Sequence, residues 1–115
     1  MIAQLELTLT KKQPEIHTWQ VEAFTRLLFN LGCWVTAAQL AETLAMPANE
    51  QSRRTIRAMA EAASPDVISG QMGYRHIETA TAEEVRHCVA WFDSQAKKMA
   101  GRANAIRRRA HQLVG

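Results

Sequence analysis

The 115-residue chain is 47% apolar, has no low-complexity stretch and carries a formal charge of +3, a composition that excludes a disordered chain and fits one globular domain with tails. Its apolar runs are only a few residues long and no charged region followed by a hydrophobic run opens it, so neither a membrane span nor a signal peptide is expected and the cytoplasm is the default location. The positive charge is concentrated at one end: six cations and no acid follow Asp93, which leaves the first 93 residues at −3 and makes the C-terminal end the part that attracts polyanions.

Residues 1–13 read as an N-terminal extended segment, because Leu5, Leu7 and Leu9 alternate with Glu6, Thr8 and Thr10 in the period of a half-buried strand. Ile16, Ala23, Phe24, Leu27, Leu28 and Leu31 then recur at three and four, the stripe of a first helix stopped near Gly32. Phe29 falls off that stripe, which suggests a second contact. Trp34 and Val35 form a short extended piece, and Thr36 can cap a second helix whose Leu40, Ala41 and Leu44 share a face. After the break at Met46-Pro47-Ala48-Asn49, a third helix starts with Asn49 or Ser52 as its cap and runs to about Ala63, burying Ile56, Met59 and Ala60.

Val67-Ile68-Ser69 and Tyr74-Arg75-His76-Ile77, separated by Gly70-Gln71-Met72-Gly73, read as a β-hairpin. Thr81 and Glu84 have the spacing of a capping box, so a fourth helix begins there. In it Val85, Val89, Phe92, Ala96, Met99, Ala103, Ile106, Ala110 and Leu113 alternate by four and three, a coiled-coil period. Such a helix is roughly 45 Å long, further than a domain of this size needs to cover its own core. Two coverings of its seam stay open: the N-terminal strand with the first helix, or a second chain in a homodimer held by Phe92, Ala96, Met99, Ala103 and Ile106. Alanines contribute little burial, so a dimer resting on this seam alone is weak.

Helix, extended piece, helix, helix, hairpin is the order of a winged helix-turn-helix. The chain resembles that family over residues 14–80, through W-V-T-A-A-Q-L-A-E-T-L (Trp34 to Leu44), S-R-R-T-I-R-A-M-A-E (Ser52 to Glu61) and V-I-S-G-Q-M-G-Y-R (Val67 to Arg75). It looks most like the small winged-helix proteins of phages and prophages. The fold class expected is therefore mainly α with a small β-hairpin, a winged helix-turn-helix followed by a long C-terminal helix at 81–115. The connection from Ala45 to Gln51 is longer than the tight turn of the simplest members.

The resemblance implies binding of double-stranded DNA with the third helix in the major groove, as a transcriptional regulator or a phage DNA-transaction accessory. With Ile56, Met59 and Ala60 inward, Gln51, Arg53, Arg54 and Arg57 turn outward, where arginine forks suit guanine edges and phosphates and glutamine suits adenine. Against this stands a pairing of Arg57 with Glu61, the others being solvated. Ser52 and Thr55 are candidate phosphate donors, although Ser52 is also a candidate cap. The hairpin tip has no lysine or arginine, so a weak wing is expected, resting on Arg75 and His76, with Tyr74 packed on the sheet or third helix. Arg107, Arg108 and Arg109 either line phosphates without reading sequence or keep the long helix soluble.

His17, His76, His87 and His111 are scattered without ligand spacing, and no phosphate-binding loop, nucleophile elbow or carboxylate pair is present. No metal, cofactor or enzymatic activity is expected. Cys33 and Cys88 read as reduced, mostly buried thiols, and Trp19, Trp34 and Trp91 as core or interface residues. The alternative to DNA binding is a protein–protein interaction module on the same scaffold, engaging a partner through the long helix and Phe29.

Overall fold

A computed structural model of the chain describes residues 14–114, so the extended segment expected at 1–13 lies outside the described residues. The chain divides into two compact units at the junction of Ala80 and Thr81. Among the described residues the first holds three helices closed by a hairpin, and the second is one long helix.

Helix α1 spans Thr18–Leu31. It opens at His17, whose N–H donates to Gln20 Oε1 at 2.8 Å, and ends at Gly32, where φ is 61° and the N–H returns to the Leu28 carbonyl at 3.1 Å. That left-handed cap needs no Cβ, which is why glycine stands there. Phe24 and Leu28 are buried and Val21 and Leu27 half-buried, whereas Ala23 and Leu31, both expected on the stripe, are exposed. Ala23 sits 100° from Phe24 and so falls on the flank of the helix.

Val35 then pairs with Tyr74 as an antiparallel bridge, each N–H donating to the other's carbonyl at 2.9 and 2.8 Å. Helix α2, Ala37–Thr43, is capped by Thr36, whose Oγ1 accepts from Gln39 N–H while Gln39 Oε1 accepts from Thr36 N–H. Leu40 and Ala41 are its buried residues, and Leu44, expected with them, becomes a 37% exposed C-cap. The next residue, Ala45, takes φ 56°, with its own N–H on the Glu42 carbonyl and Met46 N–H on the Ala41 carbonyl. This is the double-bonded left-handed helix ending that glycine normally supplies, here occupied by alanine.

Helix α3 spans Glu50–Ala63 and is capped by Asn49, whose Oδ1 accepts from Ser52 N–H at 2.9 Å. Of the two expected caps, Asn49 is the one used. Ser52, Ile56, Met59, Ala60 and Ala63 are buried along it, and α1 and α2 both pack against it. Phe24, Leu28, Leu40 and Ile56 are the largest fully buried side chains, each worth about 1.5–3 kcal/mol of transfer free energy.

Strands β1 (Val67–Gly70) and β2 (Gly73–His76) pair antiparallel, Val67 with His76 through Gly70 with Gly73, around the two-residue loop Gln71-Met72. Gly73 has φ 114°, and a Cβ there would lie 2.2 Å from the Val35 carbonyl oxygen. Glycine is therefore required by the close approach of the Val35 backbone as much as by the turn. Tyr74 packs half-buried on the core. The second strand ends at His76, one residue before the expected Ile77, because Ile77–Thr79 turns into a short 3-10 helix begun by Glu78 N–H donating to His76 Nδ1.

Helix α4, Ala82–Val114, is a single run of 33 residues, about 50 Å long. Thr81 and Glu84 form its capping box, at 2.8 and 3.1 Å. None of its residues is buried. Trp19 and Trp91, read as core or interface residues, are outside the core at 66% and 55% exposed, and of the thiols expected to be mostly buried Cys33 is exposed and Cys88 half-buried. Among the described residues no helix is long and apolar enough to cross a membrane.

Two substitutions test the backbone account by urea unfolding. Gly73→Ala lowers stability by more than about 2 kcal/mol, since strain and overlap with the Val35 backbone add. Ala45→Gly raises it by about 0.5–1 kcal/mol, because relief of the left-handed Cβ penalty outweighs the added freedom of the unfolded chain.

Candidate nucleic-acid interface

The outer surface of α3 is defined by what its inner surface buries. Each residue advances 100°, so relative to Ile56, Arg53 lies about 60° round, Arg57 about 100° and Arg54 about 160°, while Gln51 lies about 140° the other way. All four are exposed, as expected from the sequence. The core holds them there: rotating α3 to bring Arg54 inward would expose Ile56, which has no accessible surface.

Electrostatics on this surface differ from the simple arginine cluster. Glu50, the first residue of α3, reaches both Arg53 at 3.7 Å and Arg54 at 3.9 Å, with all three side chains more than half exposed. Such solvated pairs are worth about 0–1 kcal/mol and yield readily to a phosphate. This role of Glu50 was missed, although its three- and four-residue spacing to the arginines is legible. Arg57 makes no hydrogen bond or ion pair among the described residues, and the pair considered between Arg57 and Glu61 is not formed. Glu50 and Glu61 nevertheless share the outer surface and partly cancel the arginine charge.

Two of the expected phosphate donors on α3 are otherwise engaged. Ser52 is 3% exposed, because its position about 40° from Ile56 places it on the core side. Thr55 Oγ1 donates back to the Gln51 carbonyl at 3.0 Å.

The hairpin gives up its cations as well. Arg75, expected to reach the DNA backbone, is half-buried, with Nε on Thr79 Oγ1 at 3.1 Å and Nη2 on the carbonyls of Gly32 and Thr79. It joins the C-cap of α1 to the turn after β2, so three of its donors are spent on the fold. His76 is buried, its ring edge-to-face with Phe29 at 5.2 Å between centroids. This is the second contact of Phe29. The exposed tip, Gln71 and Met72, is uncharged.

In the second unit Arg107, Arg108 and Arg109 are all exposed. Arg107 donates to Asn104 at 2.7 Å and Arg109 to Gln112 at 3.3 Å, each a neutral partner that leaves the charge available. Of the expected dimerisation residues, Phe92, Met99 and Ile106 are 53–70% exposed, Ala96 is exposed and Ala103 half-buried.

An open cleft of about 510 Å³ lies between α1 and the segments around Asp66 and Glu78. Glu22, Asp66 and Glu78 outnumber Arg26 on its walls, so its charge is opposite in sign to that of the α3 arginines and unsuited to an anion. Among the described residues no group of three histidine, cysteine or acidic side chains is placed to hold a metal. No family model, curated protein or solved structure matches the chain.

The roles assigned to Arg75 and Arg57 separate in a thermal or urea melt. Arg75→Ala destabilises by about 1–3 kcal/mol, the usual worth of hydrogen bonds from a charged donor, while Arg57→Ala stays within about 0.5 kcal/mol of the native chain.

Proposed function

We propose that the chain is a non-enzymatic DNA-binding protein of the winged helix-turn-helix type, a transcriptional regulator or an accessory to a phage DNA transaction, that lays α3 in the major groove. The observation carrying this reading is the outer face of α3, where Gln51, Arg53, Arg54 and Arg57 are held outward by five buried residues and Arg57 has no hydrogen-bond or ion-pair partner among the described residues. Two features support the fold type. The elements follow the order of the family, and Val35 adds a third, one-residue rung to the hairpin through Tyr74.

The contacts divide by chemistry. Arg54, Arg57 and Gln51 are the base-reading set, since a guanidinium fork matches guanine and a carboxamide matches adenine. Arg53, nearer the core edge, suits phosphate. Arg107, Arg108 and Arg109 contribute sequence-independent attraction. Ser52, Arg75 and His76 are left out, being buried or bonded within the fold.

A second reading rests on the exposed apolar face of α4, which suits a protein partner rather than nucleic acid. Fluorescence anisotropy with duplex DNA across a salt series separates the two. DNA binding predicts affinity that falls steeply with salt, a loss of about tenfold or more on Arg57→Ala, and near-complete loss on joint replacement of Arg53, Arg54 and Arg57 by alanine. Unmeasurable binding at low salt, or affinity unchanged in the triple variant, overturns it in favour of the interaction module.

A further inference from the structure

The seam of α4 consists of two rows of unequal size. Ala82, Val89, Ala96, Ala103 and Ala110 recur every seven residues, and so do the larger Val85, Phe92, Met99, Ile106 and Leu113. The helix buries none of them, and the exposed members of the large row range from 53% at Phe92 to 71% at Leu113. We propose that a second copy of the chain docks on this seam, with its α4 running antiparallel, in the register that sets each small residue of one helix against a large residue of the other.

Volume selects the orientation. In a parallel pair identical positions face each other, so layers of alanine on alanine at 96 and 103 alternate with layers of Phe92, Met99 and Ile106 on themselves. The helices then stand apart over voids or collide at the large layers, and close-packed interiors tolerate neither. Reversing one helix about a two-fold axis between Lys97 and Lys98 brings Ala82 to Leu113, Val85 to Ala110, Val89 to Ile106, Phe92 to Ala103 and Ala96 to Met99. Every layer is then small against large, or two residues of middling size, and the overlap runs the full length of the helix.

Charge selects the same orientation. Glu83, Glu84 and Asp93 lie in the first half of α4, whereas Lys98, Arg102, Arg107, Arg108 and Arg109 occupy the second half with no acid among them. Antiparallel pairing lays the acid-bearing half of one helix along the cation-bearing half of the other and opposes the helix dipoles, while parallel pairing sets the two cation-bearing halves side by side. The effect is long-range, since Glu83 and Glu84 lie on the side of α4 away from the seam and Arg86 and Lys97 share their half. Arg86 approaches Arg107 of the second copy in this register, a like-charge contact that weakens the pair. A stripe about 50 Å long and about 12 Å wide covers about 600 Å² on each helix, about 1,200 Å² in all, the lower bound of a specific interface. An interface of that size, made nearly half of alanines, holds a weak dimer that forms only at raised concentration. Its two Thr81 junctions are about 50 Å apart, against about 10 Å in a parallel coil.

The test uses the full chain. Light scattering at high micromolar concentration gives a dimer mass that dissociates on dilution. Ala103→Leu, a substitution that keeps helix propensity, weakens association about tenfold or more because the added side chain meets Phe92 of the second copy. In a parallel coil it would fill a void and strengthen association. A spin label on Gln112→Cys, in a chain carrying Cys33→Ser and Cys88→Ala, reports a separation of about 45 Å if the pair is antiparallel and under about 20 Å if it is parallel. A monomeric mass at high micromolar concentration, tighter association of A103L, or the short label distance each overturns the proposal.

Discussion

The first unit depends on one packing constraint, the seating of Ile56 against α1 and α2. Ile56 has no accessible surface, and Phe24, Leu28 and Leu40 reach the same state around it. Because a helix turns 100° per residue, seating Ile56 decides every other direction on α3. It sends Ser52, Met59, Ala60 and Ala63 inward and leaves Arg54, Arg57 and Gln51 with no option but solvent. The surface proposed to bind DNA is thus the complement of the core, and its precision is inherited from close packing rather than from contacts among the arginines themselves.

The hairpin is attached by a second constraint, the exchange of hydrogen bonds between Val35 and Tyr74. Two backbones can meet so closely only where Gly73 has no side chain. Arg75, in the same strand, then donates to Gly32 and Thr79, so the charge that a wing would present to phosphate is used to hold the hairpin in place. Burial of His76 against Phe29 acts in the same direction. The cost of leaving donors or carbonyls unpaired in a small protein explains this use of an arginine: a half-buried guanidinium satisfies several acceptors at once. The consequence for the proposed function is a division of labour, with α3 as the charged surface of this unit and the hairpin as its support.

Helix α4 obeys a different rule. Its seam is regular, yet the residues that recur are alternately small and large, and in the proposed pairing it is that alternation that sets the direction of the second copy. Charge runs along the helix in the same sense, from acidic to basic. Neither property requires the first unit, which is why they can be read from the helix alone.

Much of this was legible in the residues. Local rules sufficed for most of the helix stripes, the cap at Thr36, the capping box of Thr81, the stop at Gly32, the hairpin and the outward set on α3, because each depends on neighbours within four or so positions, whereas Ala23, Leu31 and Leu44, expected on the stripes, are exposed. The i, i+3 and i, i+4 spacing that ties Glu50 to Arg53 and Arg54 was equally available and passed unnoticed. What the tertiary structure alone decided concerns groups whose partners are distant in the chain. Arg75 finds the Gly32 carbonyl 43 positions away, Gly73 meets Val35, and His76 meets Phe29. A cation in a strand carries no sign of whether its hydrogen bonds end on phosphate or on a remote carbonyl, and only the folded chain supplies that carbonyl.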